Sequence, residues 1–429
     1  MGRLPIVLLA AMLLIAIPVA AKEYVIGDQK MPVAKGDPAA TYVGAEKCKT
    51  CHPDKYEDWK KSGHPYKLMT PEEAKAIRPE IPLPEGYTWD DILYVLGGWG
   101  WKSRYIGKDG FIITKTKDGQ PLEKNQYNWE TGTWSAYHSG EDKKYDCTRC
   151  HNTGSTYDEN HKDLPGMVGN WTFRGVQCEA CHGPGSEHVA RGGGKGVAII
   201  VNDSAEFCGL CHVRGTSDKP PAKKGFIRHH EQYQELKNSG GMANLKCVTC
   251  HDPHKPVHKG ATNDVEGYGI IKKCEDCHAD VAEVFEGSEM QKAGVRCIDC
   301  HMPKAAKSAV AKSKYVADVR VHLFRINTDP NAELIFKADD GKEYASGYLT
   351  LDYVCLQCHE DKDKAWAASY AEKNIHELGK VKETPAPVTT APPTQPPETA
   401  PPKKGVCGPT SLALLALLPL FGVAARRRL

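Results

Sequence analysis

Eight copies of one five-residue pattern, C-x-x-C-H, constrain this chain more than any other feature. They are Cys48-Lys-Thr-Cys51-His52, Cys147-Thr-Arg-Cys150-His151, Cys178-Glu-Ala-Cys181-His182 and Cys208-Gly-Leu-Cys211-His212 in the first half. Cys247-Val-Thr-Cys250-His251, Cys274-Glu-Asp-Cys277-His278, Cys297-Ile-Asp-Cys300-His301 and Cys355-Leu-Gln-Cys358-His359 follow. Zinc half-sites, dithiol redox centres and disulfides also use cysteine pairs. Zinc does not require His directly after the second Cys, however, and redox pairs do not come in eights. The pattern is that of covalent haem attachment. Two thiols separated by two residues reach the two porphyrin vinyl groups, and the next residue is held beneath the ring, where its imidazole meets the iron. The sequence therefore predicts eight covalently bound haem c groups, with these sixteen cysteines as attachment points and the eight following histidines as proximal ligands.

The composition is in keeping with this. Only 8% of the 429 residues are aromatic, and the mean hydropathy is −0.50. Eight flat apolar discs would supply the missing core, so little folding is expected without haem. A formal net charge of +2 points to no nucleic-acid partner.

The ends predict export. Residues 1–21 combine a positive start, an apolar run from Leu4 to Val19 and small residues at Val19-Ala20-Ala21, the three parts of a secretory signal. An uncleaved anchor is the alternative. Residues 384–406 form a Pro/Thr-rich stalk that cannot bury a core. In residues 407–429, Cys407-Gly-Pro precedes an apolar stretch from Leu412 to Ala425 and then Arg426-Arg427-Arg428. That stretch is shorter than the ~20 residues a spanning helix needs. It resembles an archaeal Cys-Gly-Pro C-terminal sorting signal, in which the tail is removed and the Cys carries the anchor; a marginal membrane helix is the alternative. Either places the chain on the outer face of the cell membrane, held there by its C-terminal segment.

Residues 22–383 are read as one haem-packed domain, mostly α with much irregular loop and small β-hairpin insertions. Alternating apolar residues and Asp-Gly turns in 86–134 predict one or two hairpins, and residues 331–351 another. Short helices are expected after the motifs, over Pro53 to Lys61 and Val281 to Lys292. Six consecutive motifs, starting at 147, 178, 208, 247, 274 and 297, lie 23 to 39 residues apart, close enough in the chain to pack their haems together.

Ten further histidines are available for eight distal positions. His254 follows His251 too closely to sit on the opposite face of the same haem, so it is assigned to a neighbour; His188 is treated likewise. The predicted distal set is His64, His138, His161, His188, His229, His254, His322 and His376. His230 and His258 are read as surface residues, and Met242 and Met290 as minor alternatives for a thioether ligand.

Several stretches resemble the tetrahaem cytochrome c-554 family and its multihaem relatives. These are His52-Pro-Asp-Lys-Tyr56-Glu-Asp-Trp59-Lys-Lys-Ser-Gly-His64, Cys178-Glu-Ala-Cys181-His182-Gly-Pro-Gly-Ser-Glu-His188 and His229-His-Glu-Gln-Tyr233. Cys250-His251-Asp-Pro-His254 and Cys297-Ile-Asp-Cys300-His301-Met-Pro are similar to octahaem oxidoreductases and pentahaem nitrite reductases. The resemblance implies His64, His188, His229 or His230, and His254 as distal ligands. The insert between the first two motifs departs from the family pattern.

Three functions compete at this point. One is an electron carrier, with no catalytic residues, exchanging electrons with other redox proteins or an extracellular acceptor or donor. The second is an octahaem oxidoreductase acting on small nitrogen or sulfur species at one open haem. The third is a subunit of an extended haem filament.

Overall fold

The computed structural model describes residues 39–377 apart from 265 and 374, together with two short paired strands, Tyr24–Ile26 and Gln29–Met31. The predicted signal segment 1–21, the stalk and the tail with Cys407 lie outside the described residues.

The C-x-x-C-H pattern is also a helical pattern. Positions one, four and five share one face of a helix, and the motifs form single turns closed by the bond from the His N–H to the first Cys carbonyl. This bond is 2.9 Å at His52, His212 and His278, 3.1 Å at His151 and His251, and 3.0 Å at His359. Cys178–His182 and Cys297–His301 are five-residue helices. One turn is too short to be stable alone, so each motif is held by what packs around it.

Helices are accordingly brief. Pro53–Lys60 and Lys364–Ala371 are the longest, at eight residues each. The expected helix over Val281 to Lys292 is two helices, Ala279–Phe285 and Glu289–Lys292. Gly287 breaks it with φ +73°, and Ser288 restarts it by accepting the Gln291 N–H.

The β component is larger than isolated hairpins. Leu68–Met69, Ile92–Gly97, Lys102–Gly107, Gln126–Asn128 and Thr133–Ser135 form one five-stranded antiparallel sheet. Its central strands are buried on both faces: Tyr94, Leu96 and Ile106 pack into one cluster, and Val95 and Tyr105 into another. A bulge between Ile92 and Tyr94 turns Ile92 to the Val95 side, against the simple alternation. The chain reverses at Gly97, where a Cβ would come 2.6 Å from the Lys102 carbonyl oxygen. The expected hairpin Ile335–Lys337 with Glu343–Ala345 is the edge of a second five-stranded sheet, completed by Pro221–Lys223, Phe226–Arg228 and Ala306–Lys307.

These sheets hold most of the side-chain core, and the motif segments hold little. Between Leu236 and Ala305, a stretch with three motifs, no described hydrophobic residue is buried. No helix among the described residues is long and apolar enough to cross a membrane.

Candidate functional site

The sixteen motif cysteines are free thiols. Among the described residues, no three His, Cys, Asp or Glu side chains converge to hold a bare metal ion. Disulfide and zinc readings of the cysteine pairs therefore have no support in the geometry.

Five motif histidines face a second imidazole. Ring centroids are 6.4 Å apart for His52 and His188 and for His64 and His212. They are 6.2 Å apart for His182 and His254, His251 and His322, and His301 and His376. Metal–imidazole bonds are about 2.0 Å, and the centroid lies roughly 1.1 Å behind the nitrogen, so two rings trans on one iron stand a little over 6 Å apart. The pairs fit a haem iron between them. His254 stands opposite His182 rather than His251, and His188 opposite His52 rather than His182.

Five of these ten rings have a fixed outer nitrogen, whereas Nδ1 of His322 is buried without a hydrogen-bond partner. His182 Nδ1 donates to Ile200 O at 2.7 Å, His188 Nδ1 to Val197 O at 2.8 Å, and His301 Nδ1 to Phe324 O at 2.8 Å. His212 Nδ1 meets Gln232 Oε1 at 3.2 Å and His254 Nδ1 meets Asp252 Oδ1 at 3.0 Å. Such bonds set the tautomer and aim Nε2 at the metal. Burial pushes the imidazole of His64 down to about 3 and that of His251 to about 4, which keeps them neutral, the form a metal binds.

Three predicted distal ligands are placed otherwise. His161 lies flat on Trp171, with centroids 3.8 Å apart, and both its nitrogens are engaged, Nδ1 by Asn170 and Nε2 by Tyr94. His229 is similarly occupied: Nδ1 bonds Lys307 O, and Nε2 lies 3.4 Å from Lys102 Nζ and 3.3 Å from Arg214 Nη2. His138 is exposed and pairs with Glu141 at 2.7 Å. None of the three faces a motif histidine. His230 and His258 are not the surface residues the sequence suggested. Both are half-buried, His230 against His229 and His258 against Trp101. Met242 and Met290 are half-buried.

Among the described residues no second imidazole stands opposite His151, His278 or His359. The His151 surroundings are distinctive. Its Nδ1 is buried without a partner, and its ring is pushed down to about 3 by burial and then by Lys67, Arg104 and Lys102. Burial holds Lys67 down to about 8 and Lys102 well below the usual lysine range, with Arg104 adding to the latter. Arg104 bonds Gln126 Oε1 and lies over the Tyr137 ring, 3.4 Å from its centroid. Arg214 adds a further cation beside Lys102 and Arg104. Its nearest carboxylate, Glu231, is 3.5 Å away, fully buried, and raised to about 10 by burial and then Glu235. These four cations are half-buried; Asp318 offsets part of the charge at Lys102, whose Nζ also donates to the Ser308 carbonyl, and positive groups still outnumber negative ones here. Periodicity offers one clue to the cluster: Lys102 and Arg104 alternate along a strand and so share a face. That this face is half-buried is not legible in the sequence.

The motifs neighbour one another in a definite order. The Cys48 and Cys178 thiols are within hydrogen-bonding reach, as are Cys208 and Cys247, Cys274 and Cys297, and Cys150 and Cys211. Cys181 lies within electrostatic reach of Cys208 and Cys211, Cys250 of Cys277, and Cys300 of Cys355. Seven motifs thus run in series from Cys48 to Cys355, and the Cys147 motif joins from the side at the Cys208 motif.

Comparison with known proteins finds multihaem relatives. Residues 47–81 and 114–183 match the family "Cytochrome c554 and c-prime", and residues 270–407 match "Outer membrane cytochrome MtrC/MtrF-like, domains II/IV". The relatives are multihaem cytochromes. Dissimilatory sulfite reductase MccA of Wolinella succinogenes is 21% identical over 80% of this chain and 64% of its own length. Multiheme cytochrome MtrA of Shewanella baltica is 26% identical over 37% of this chain and 45% of its own. The chain thus spans less than two thirds of either relative. In fold, it is similar to the octaheme sulfite reductase MccA, with a TM-score of 0.56, 18% identity and coverage of 77% of this chain and 68% of that one. It is also similar to Outer Cell Wall Cytochrome OcwA, with a TM-score of 0.50, 22% identity and coverage of 77% and 86%. Motif, family matches and fold together imply covalently bound haem c.

Proposed function

We propose that this chain is an exported octahaem c-type cytochrome that relays electrons through closely packed, mostly bis-histidine haems at the outer cell surface. The observation that carries this is the series of neighbouring motifs, five of whose histidines face a second imidazole at the spacing of one iron. Bound haem supplies one-electron redox chemistry and, where its second axial position is open, a place for a small ligand. The protein's own part is to fix ring orientation through the outer imidazole bonds and to hold successive sites against one another. The similarity to OcwA and to the MtrC/MtrF family supports the surface location, with other redox proteins or an extracellular acceptor as partners. Residues 1–21 are proposed to direct export, and residues 407–429 to anchor the chain behind its stalk.

A second reading is favoured by the His151 surroundings. There, Lys67, Lys102, Arg104 and Arg214 are placed to bind and orient a small oxyanion, and Lys67, held at about 8, keeps a transferable proton on Nζ near neutrality. In this reading the chain is an oxidoreductase for a small nitrogen or sulfur oxyanion, fed by the relay, as the similarity to a sulfite reductase suggests. The same cations fit the carboxylates of a haem equally well, and one experiment separates the two roles. Pyridine haemochrome and intact mass of the exported protein should give eight haems; fewer would overturn the octahaem reading. Ferric electron paramagnetic resonance (EPR) with added nitrite or sulfite should then perturb a high-spin component. An unchanged spectrum would leave a carrier whose cations serve haem carboxylates.

A further inference from the structure

The two variable positions of C-x-x-C-H are usually read as spacers between the thiols. In three motifs they reach instead into a neighbouring motif. Arg149, the third residue of Cys147-Thr-Arg-Cys150-His151, donates through Nη2 to the carbonyl of Leu210, inside the Cys208 motif. Leu210 is the C-cap of helix Ala205–Gly209, so a cation meets the negative end of a helix. Glu179, inside the Cys178 motif, is buried and accepts the N–H groups of Val43 and Gly44 at 2.9 and 2.8 Å. These lead into helix Ala45–Lys49 of the first motif, and a carboxylate there meets the positive end. Gln357 of the Cys355 motif donates to Asp299 O of the Cys297 motif at 2.8 Å.

Each of these bonds spans a junction between motif cysteines: the thiols of Cys150 and Cys211 and of Cys48 and Cys178 are within hydrogen-bonding reach, and Cys300 and Cys355 interact electrostatically. A motif that is a single helical turn cannot hold its own position. A polar side chain that caps the next motif's helix couples the two turns as one unit. At the His151 junction the tie is stiffened further, because Arg149 is half-buried and its backbone N–H donates to the Tyr157 hydroxyl at 3.0 Å.

We propose that Arg149 is a positioning residue for electron delivery: it clamps the His151 site to the His212 site and so sets the rate at which the side branch exchanges electrons with the main series. The proposal rests on the reading that both motifs carry haem. It goes beyond that reading by assigning the coupling between two particular sites to one side chain outside the thiols and the axial ligands.

The test uses the full haem-loaded protein. In R149M, rapid-mixing reduction should split, with the absorbance change of the His151 site separating into a slower phase while the remaining haems reduce as in the wild type. Its ferric EPR signal should at the same time lose the broadening caused by a nearby paramagnetic neighbour. R149K keeps a cation at the Leu210 carbonyl and should restore both features in part. It also carries the test if R149M loses haem: the phase then slows in R149K relative to wild type, or the proposal fails. Unchanged kinetics and EPR in the haem-loaded variants would overturn the clamp, and so would equal slowing of every haem, which marks general loosening. Haem content of the wild-type protein tests the underlying reading alone, and the difference between variant and wild type tests the clamp alone.

Discussion

At His182 the ring opposite is His254, 6.2 Å away and within 4° of parallel, and both rings give their outer nitrogen to a fixed acceptor. At His151 no imidazole stands opposite among the described residues, the outer nitrogen has no partner, and the neighbours are Lys67, Arg104 and Lys102. The two sites begin from the same five residues. What separates them comes from elsewhere in the chain: His254 lies on a loop after the fifth motif, whereas Lys102 and Arg104 lie on a strand between the first two motifs. Attachment is thus a local property of the sequence, and chemistry at the iron is a tertiary one.

The largest expected effect removes a facing imidazole. His64→Ala should convert the His212 haem from low to high spin in ferric EPR. An unchanged spin inventory would mean that the 6.4 Å pair does not bracket an iron. The wild-type protein should already hold a high-spin component from the His151, His278 and His359 sites, and its complete absence would erase the contrast between the two kinds of site.

Next in size is the structural tie at Glu179. Glu179→Ala leaves the N–H groups of Val43, Gly44 and Gly185 buried without the carboxylate that now receives them. A loss of about 3–5 kcal/mol is expected, read as lowered thermal stability of the haem-loaded protein. A Tm within error of wild type would show that the first and third motifs are held by their haems alone.

A smaller effect tests the cation cluster. Lys102→Met removes one hydrogen-bond donor to a bound oxyanion, about 0.5–1.5 kcal/mol, or roughly 2- to 10-fold in affinity. Spectral titration of the ferric protein with nitrite or sulfite measures it. Equal affinity in the variant would place the anion away from His151.

Some of this was open to reading along the chain and some was not. The motifs, their helical turns and the hairpin at 335–345 follow from spacing and turn residues. Nearness in sequence also separated His254 from His251 as a pair, because two residues three apart cannot reach opposite faces of one ring. Sheet membership could not be read, since Ala306–Lys307 joins Phe226–Arg228 across 78 residues of chain. Nor could the fate of His161 and His229, because a histidine offers an iron only what its hydrogen bonds leave free. Asn170 with Tyr94, and Lys307 with Lys102 and Arg214, occupy both nitrogens in each case.

That distinction gives the smallest and most selective prediction. His138, His161 and His229 were assigned distal roles by counting histidines against irons, whereas the geometry assigns them to hydrogen bonds and, for His138, to an exposed ion pair with Glu141. His138→Ala should leave both spin state and stability near wild type, since exposed pairs contribute about 0–1 kcal/mol. His161→Ala should cost stability through the lost Trp171 stack, on the order of 1–3 kcal/mol, yet leave the spin state alone. Ferric EPR alongside thermal unfolding reads the two effects separately. A new high-spin haem in either variant would restore that residue as a ligand and shorten the list of open irons by one. Stability lost without a spin change at His161 would place it in the sheet-side core, where it is bonded by Tyr94, and leave His151 facing cations.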